Sequence, residues 1–193
     1  MIYQKIEQVL FDIDGAFIHE PMLGFREDYL CLHSLLRRYN PKTVFEIGTN
    51  TGNGVNVIAT ALPTSEVYSL DLDFETMREL SLQYPIGDNG EDKIGSDTKF
   101  PYTQLRGNSM SFDYSKYPCE GYYVDGEHTN KNVYHETMEI LKIRPKIIIY
   151  HDTDMQEVMN GLVHAHLDSA NGDEYILHRV EETRISYLLN NMK

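Results

Sequence analysis

The chain has 193 residues, the size of one domain on the usual scale of roughly 100–200 residues. It is too short to hold a catalytic domain beside a separate substrate domain. Its 30 acidic and 17 basic residues give a formal net charge of −13. A surface this negative repels phosphate backbones and anionic bilayers, so neither a nucleic acid nor a membrane is an expected partner. Hydrophobic residues at 41% and charged residues at 24% place the chain among folded rather than disordered sequences. Cys31 and Cys119 form no CxxC and no disulfide framework. There is also no apolar run of spanning length and no signal-type cleavage pattern, so the expected location is cytoplasmic.

In chain order, residues 1–24 read as an N-terminal arm or cap. Residues 26–39 place Tyr29, Leu32, Leu36 and Tyr39 on one helical face. TVFEIG at 43–48 reads as a buried strand ending at a glycine turn that enters a helix, and EVYSLDL at 66–72 as a second strand. Residues 85–98, rich in Gly and Asp without periodicity, read as a mobile loop. Short strands follow at 102–106 and 120–125, a helix at 130–143, a β-branched strand at 146–150 and a helix at 155–169. Residues 174–180 and 184–189 close the chain as an antiparallel hairpin. The alternation predicts a single α/β domain over 1–193. Its sheet should be Rossmann-like, doubly wound, mostly parallel and seven-stranded, with a C-terminal antiparallel hairpin. The arm and an exposed sheet edge offer a surface for a homodimer.

The turn Glu46-Ile47-Gly48-Thr49-Asn50-Thr51-Gly52-Asn53-Gly54 lies where a Rossmann-like domain has its first ligand loop. Glycines let a ligand approach the backbone there, and the helix start supplies free N–H groups. Asp71 ends the next strand, where a carboxylate can accept both ribose hydroxyls. The glycine spacing is not GxGxxG. Glu46 would repel a pyrophosphate and attract an ammonium and a sulfonium, which favours S-adenosylmethionine (SAM) over a nicotinamide dinucleotide. The bland alternative is a turn that only connects strand to helix.

VFEIGTNTGNG followed by VYSLDLD resembles the first two motifs of class I SAM-dependent methyltransferases. LRGNS and GYYVDGEHTNKNVYHETMEILKIRPKIIIYHDT are similar to the second half of one subgroup. That subgroup comprises small O-methyltransferases, macrolide sugar O-methyltransferases and cephalosporin-hydroxylase-like proteins. The resemblance covers residues 43–153. It implies that Glu46, Gly48, Thr49 and Gly52 line the methionine end of SAM, that Asp71 holds the ribose, and that Asn108 and Ser109 lie near the adenine. The chain departs from the pattern at Asn108, where the family carries Asp. It also has Arg144-Pro145-Lys146 in place of Gly-Gly, and it lacks the caps of the macrolide-modifying members.

Asp125 ends the fourth core strand, and His151-Asp152 ends the fifth. Neighbouring strand ends converge on the ligand crevice. Asp125, His151 and Asp152 could therefore hold one divalent cation, Mg²⁺ or Mn²⁺, that binds a substrate hydroxyl and lowers its pKa. The arrangement is similar to the metal site of catechol-type O-methyltransferases. His128, three residues after Asp125, is the candidate base. Asp125 as a helix cap and His151-Asp152 as a plain turn are the structural alternatives. The expected activity is methyl transfer to a hydroxyl of a small molecule. A non-methylating cephalosporin-hydroxylase-like member and a vestigial SAM-fold binding protein are the alternatives within the fold. Phe11-Asp12-Ile13-Asp14-Gly15 resembles the first motif of haloacid-dehalogenase-like phosphatases and is the remote alternative. Neither cysteine has an activating neighbour in sequence.

Overall fold

The computed structural model describes residues 1–16, 24–79 and 91–192. Strand β1 (Ile2–Gln4) and helix α1 (Ile6–Val9) open the chain, and α2 (Arg26–Tyr39) leads into the core. The strands β2 (Thr43–Ile47), β3 (Glu66–Asp71), β4 (Thr103–Arg106), β5 (Gly121–Val124) and β6 (Ile147–Tyr150) are the short apolar runs of the sequence. They are interleaved with α3 (Asn53–Ala61), α4 (Phe74–Glu79) and α5 (Asn130–Ile143). Helix α6 (Gln156–Asp168) and the hairpin β7 (Tyr175–Val180) and β8 (Ser186–Asn190) complete it.

The sheet order is β1-β7-β8-β6-β5-β2-β3-β4. Every neighbouring pair is parallel except those made by β8 with β6 and β7. The expected fold class holds, with one correction: among the described residues the sheet has eight strands rather than seven. The extra strand is β1, which pairs Ile2 with His178. Three largely exposed residues carry no alternating pattern, so nothing local marks them as a strand.

Strand alternation divides the core between the two faces. Val44, Tyr123, Ile147 and Ile149 pack with Leu32, Leu35 and Leu36 of α2 and Val57 and Ile58 of α3. Phe45, Tyr122, Val124, Ile148 and Tyr150 pack with Val133, Ile140 and Leu141 of α5 and Val158 and Leu162 of α6. The order of strand addition reverses at β2, with β3 and β4 on one side and β5 and β6 on the other. This is the switch point at which open α/β sheets bind ligands.

Asp12 and Asp14 do not follow a strand, and Asp12 is bound by the guanidinium of Arg37 on α2. The phosphatase reading needs its nucleophile at a core strand end, so the fold removes its basis. Of the arm expected at 1–24, residues 17–23 lie outside the described residues. So do 85–90 of the expected mobile loop. Residues 91–98 are tied to the glycine turn: Gly95 N–H donates to Asn50 O and Asp97 N–H to Thr51 O, both at 2.8 Å. Asn56 of α3, itself buried, donates to Asp97 O at 3.0 Å and accepts from Lys99 N–H at 2.7 Å. No helix among the described residues is long and apolar enough to cross a membrane.

Candidate active site

A cavity of about 590 Å³ opens at the carboxyl edge of the sheet. Gly48, Asn50, Asp71, Asn108, Ser109 and Asp125 are among its walls, and His128 stands at its side. Gly48 has φ +96°, and a Cβ there would lie 2.0 Å from the carbonyl oxygen of Asp125. Only glycine lets the β2 turn and the β5 turn approach this closely. Gly52, at φ +100°, likewise leaves room for the methyl of Thr98.

Asp71 accepts the N–H of Asn50 on one oxygen and that of Leu72 on the other, each at 2.8 Å. Burial raises its pKa above the ordinary carboxylate value against the pull of these bonds. Four of the seven expected cofactor residues, Gly48, Asp71, Asn108 and Ser109, thus line one cavity.

Glu46 and Thr49 lie beneath the turn, fully buried. Ser69 Oγ donates to Glu46 and is 2.7 Å from Thr49 Oγ1, and Gln104 donates to Thr49 Oγ1 at 2.9 Å. Burial holds the Glu46 carboxyl well above its usual range, with Asp125 and Asp71 adding to the effect. Burial thus works against the negative charge that the sequence reading gives Glu46.

The strand ends after β5 and β6 carry the second feature. Asp125, His128 and Asp152 present ligand atoms within 4.8 Å of one another. His128 Nε2 is 3.0 Å from Asp152 Oδ2 and 4.0 Å from Asp125 Oδ1. His151, on the other side of the same carboxylates, places Nδ1 3.2 Å from Asp125 Oδ1 and 3.0 Å from Asp152 Oδ2. The expected set of Asp125, His151 and Asp152 is therefore brought together, and His128 joins it. Despite these distances, His128 Nε2 and both His151 nitrogens make no hydrogen bond of acceptable direction. Buried nitrogens that converge on carboxylates without bonding to them fit a cation between them, and a histidine among carboxylates suits Mn²⁺, Fe²⁺ or Zn²⁺ better than Mg²⁺.

Charge in the cluster is mutually compensated. Asp125 and then Asp152 raise the His128 pKa to about 10. Burial disfavours a charged His151, yet Asp125, Asp152 and Asp28 outweigh it and lift the pKa to about 12. Burial likewise opposes ionisation of Asp125 and Asp152, and the two histidines hold both below the ordinary value. His128 therefore carries a proton at neutral pH in this state. It can accept one only when something else takes up the carboxylate charge.

The sequence gives no sign of the groups around this cluster. Tyr123 donates to Asp125 Oδ2 at 2.9 Å, and Arg184, in the β7–β8 turn, donates to Asp152 Oδ1 at 3.1 Å. Asp28 of α2 lies 3.4 Å from His151 Nε2. These contacts join segments far apart in the chain, and only the register of β6 with β8, which sets Tyr150 opposite Ser186, puts Arg184 there. Cys31 and Cys119 are buried, and burial pushes both thiols up, Cys119 to about 12. Neither is an activated nucleophile.

No family profile matches the sequence, and no curated protein sequence matches it. Solved structures do share the fold. MycE, a methyltransferase of the mycinamycin biosynthetic pathway solved with Mg and S-adenosylhomocysteine (SAH), is 17% identical, with a TM-score of 0.57 over 88% of this chain and 51% of its own. TomG, an O-methyltransferase of Streptomyces achromogenes solved with SAM, is 15% identical, with a TM-score of 0.54 over 96% and 88%. The SAH-bound Podospora anserina methyltransferase PaMTH1 is 10% identical, with a TM-score of 0.53 over 96% and 87%. The chain spans about half the length of MycE and nearly nine-tenths of the other two. It has the Rossmann-like fold of SAM-dependent methyltransferases, and the neighbours sharing it include O-methyltransferases.

Proposed function

We propose that the protein is a SAM-dependent O-methyltransferase acting on a hydroxyl of a small molecule with the help of a divalent cation. The observation that carries this reading is one juxtaposition. The Gly48–Asp71–Ser109 cavity opens directly beside the Asp125–His128–Asp152 cluster, within a fold shared with methyltransferases.

When bound, SAM supplies an activated methyl on a sulfonium. Asp71 keeps free lone pairs for the ribose hydroxyls, and Asn108 and Ser109 wall the adenine end. Gly48 lines the methionine end, Gly52 lets Thr98 pack against the turn that forms it, and Glu46 and Thr49 brace that turn from beneath. A cation held by Asp125, His151 and Asp152 would lower the pKa of the acceptor hydroxyl. With the carboxylate charge engaged in that way, His128 would be free to take the hydroxyl proton. The remaining work is positioning of the oxygen in line with the methyl.

Isothermal titration of the full chain with SAH and with Mn²⁺ tests the reading. SAH should bind, and Asp71→Ala should weaken it about 10- to 100-fold, the worth of charged hydrogen bonds to two hydroxyls. Asp125→Ala and Asp152→Ala should abolish Mn²⁺ binding, and Asp152→Ala, at a residue outside the cavity walls, should spare SAH. An unmodified chain that binds no SAH would make the pocket vestigial. Mn²⁺ binding that survives both substitutions would remove the cation from the mechanism.

A further inference from the structure

His151 is held more tightly than a strand-end turn requires. Its ring stacks on Tyr29, with centroids 6.4 Å apart and planes at 13°, and meets the rings of Phe25 and Tyr123 near edge-on. Its Nδ1 faces Asp125 and Asp152, and its Nε2 faces Asp28, 3.4 Å away. Asp28 is buried, the first charged side chain of α2 to turn inward.

Asp28 is itself fixed. Its other oxygen accepts the backbone N–H of Arg184 at 2.8 Å. The carbonyl of Arg184 accepts from the N–H of Thr153 at 2.9 Å and from its hydroxyl at 2.8 Å. The Arg184 guanidinium lies over Phe25 at 4.6 Å and donates to Asp152. Three segments, the start of α2, the end of β6 and the β7–β8 turn, therefore lock Asp28, His151 and Asp152 into one frame.

An imidazole that ligates through one nitrogen carries its proton on the other. A carboxylate facing that second nitrogen fixes the tautomer and ring orientation and raises the basicity of the ligating atom. Nδ1 is the nitrogen turned toward the two cluster carboxylates, which leaves Nε2 to bear the hydrogen when Nδ1 ligates, and the Asp28 carboxylate lies 3.4 Å from Nε2, off the direction of a hydrogen bond as the ring now stands. We propose that Asp28 is the outer-sphere positioning residue of the cation site. It holds His151 as the Nε2–H tautomer with the Nδ1 lone pair directed between Asp125 and Asp152. The inference rests on the cation reading above and deepens it. The cation site is completed by α2, which precedes the first core strand, and not by strand ends alone.

Mn²⁺ titration of the full chain, with Asp28→Asn as the variant, tests this. Asn keeps an oxygen for the Arg184 N–H but loses the charge facing His151. The variant should bind Mn²⁺ about 10- to 100-fold more weakly, with SAH affinity within twofold of the parent. Imidazole ¹⁵N shifts of the Mg²⁺-loaded parent supply a readout that packing alone would not move and that needs no variant to fold. His151 should show hydrogen on Nε2 and none on Nδ1. A Mn²⁺ affinity unchanged in the folded variant, or a hydrogen on Nδ1 in the loaded parent, would overturn the role of Asp28 and leave the cation site standing. A parent that binds no Mn²⁺ overturns both.

Discussion

Gly48 carries the most constraint for its size. Its φ of +96° is one L residues rarely adopt, and the space its Cβ would need is filled by the backbone of Asp125 and Gly126, 2.0–3.0 Å away. Backbone cannot rotate aside as a flexible side chain can, so Gly48→Ala forces the β2 and β5 turns apart. Overpacking of about 1–3 kcal/mol and a left-handed backbone of similar cost should together lower stability by about 2–5 kcal/mol. For a chain of this length that is a fall in melting temperature of roughly 5–15 °C, measurable by calorimetry. A variant melting within 2 °C of the parent would show that the two turns do not touch. The glycine turn was legible from the sequence because the constraint is local. The burial of Glu46 was not, because it comes from packing of β2 against β3, β5 and α3.

Among the elements, the segment 91–99 has no regular structure of its own to hold it. Its backbone is bonded instead to the 50–51 turn and to the Asn56 side chain. Asn56→Ala removes both side-chain bonds and leaves the Asp97 carbonyl and the Lys99 N–H without their partner, at a cost of about 1–3 kcal/mol. Hydrogen exchange should report the loss selectively, with faster exchange at Gly95, Asp97 and Lys99 and unchanged protection in β2, β5 and β6. Equal acceleration throughout would mean that Asn56 serves the whole core rather than this segment. The regular elements show the opposite case. Helix α2 at 26–39 and helix α5 at 130–143 fall where the apolar spacing puts them, and strand β6 within one residue of its β-branched run, because burial of one face or of both is written into the local order of residue types. Asp28 breaks that logic. It sits in the first turn of α2, where an acid is expected for the helix dipole, and its partner His151 is reachable only through tertiary packing. The sequence therefore offered the strand-end carboxylates and histidines and withheld the groups packed against them.

For the whole molecule, the net charge of −13 makes the response to pH a test of where acids are buried. Glu136 on α5 is fully buried, and neither of its carboxyl oxygens has a hydrogen-bond partner. Burial raises its pKa from the ordinary 4.5 to about 7. The folded state keeps this proton up to about pH 7, whereas the unfolded chain releases it near 4.5. The folded state thus binds more protons across that window, and this group lowers stability as pH rises through it. His33 and His178, held by burial below their ordinary pKa, act in the other direction and reduce stability as pH falls below 6.5. The total profile mixes these effects, but the difference between the parent and Glu136→Gln isolates the acid. Any penalty from the new amide is a constant offset, independent of pH. The stability of Glu136→Gln relative to the parent should rise by about 3 kcal/mol between pH 4.5 and pH 8, read from urea midpoints at matched ionic strength. A difference that stays flat over that range would place Glu136 in water, and with it the inner face of α5 beside Ser109 and the cavity at the carboxyl edge of the sheet.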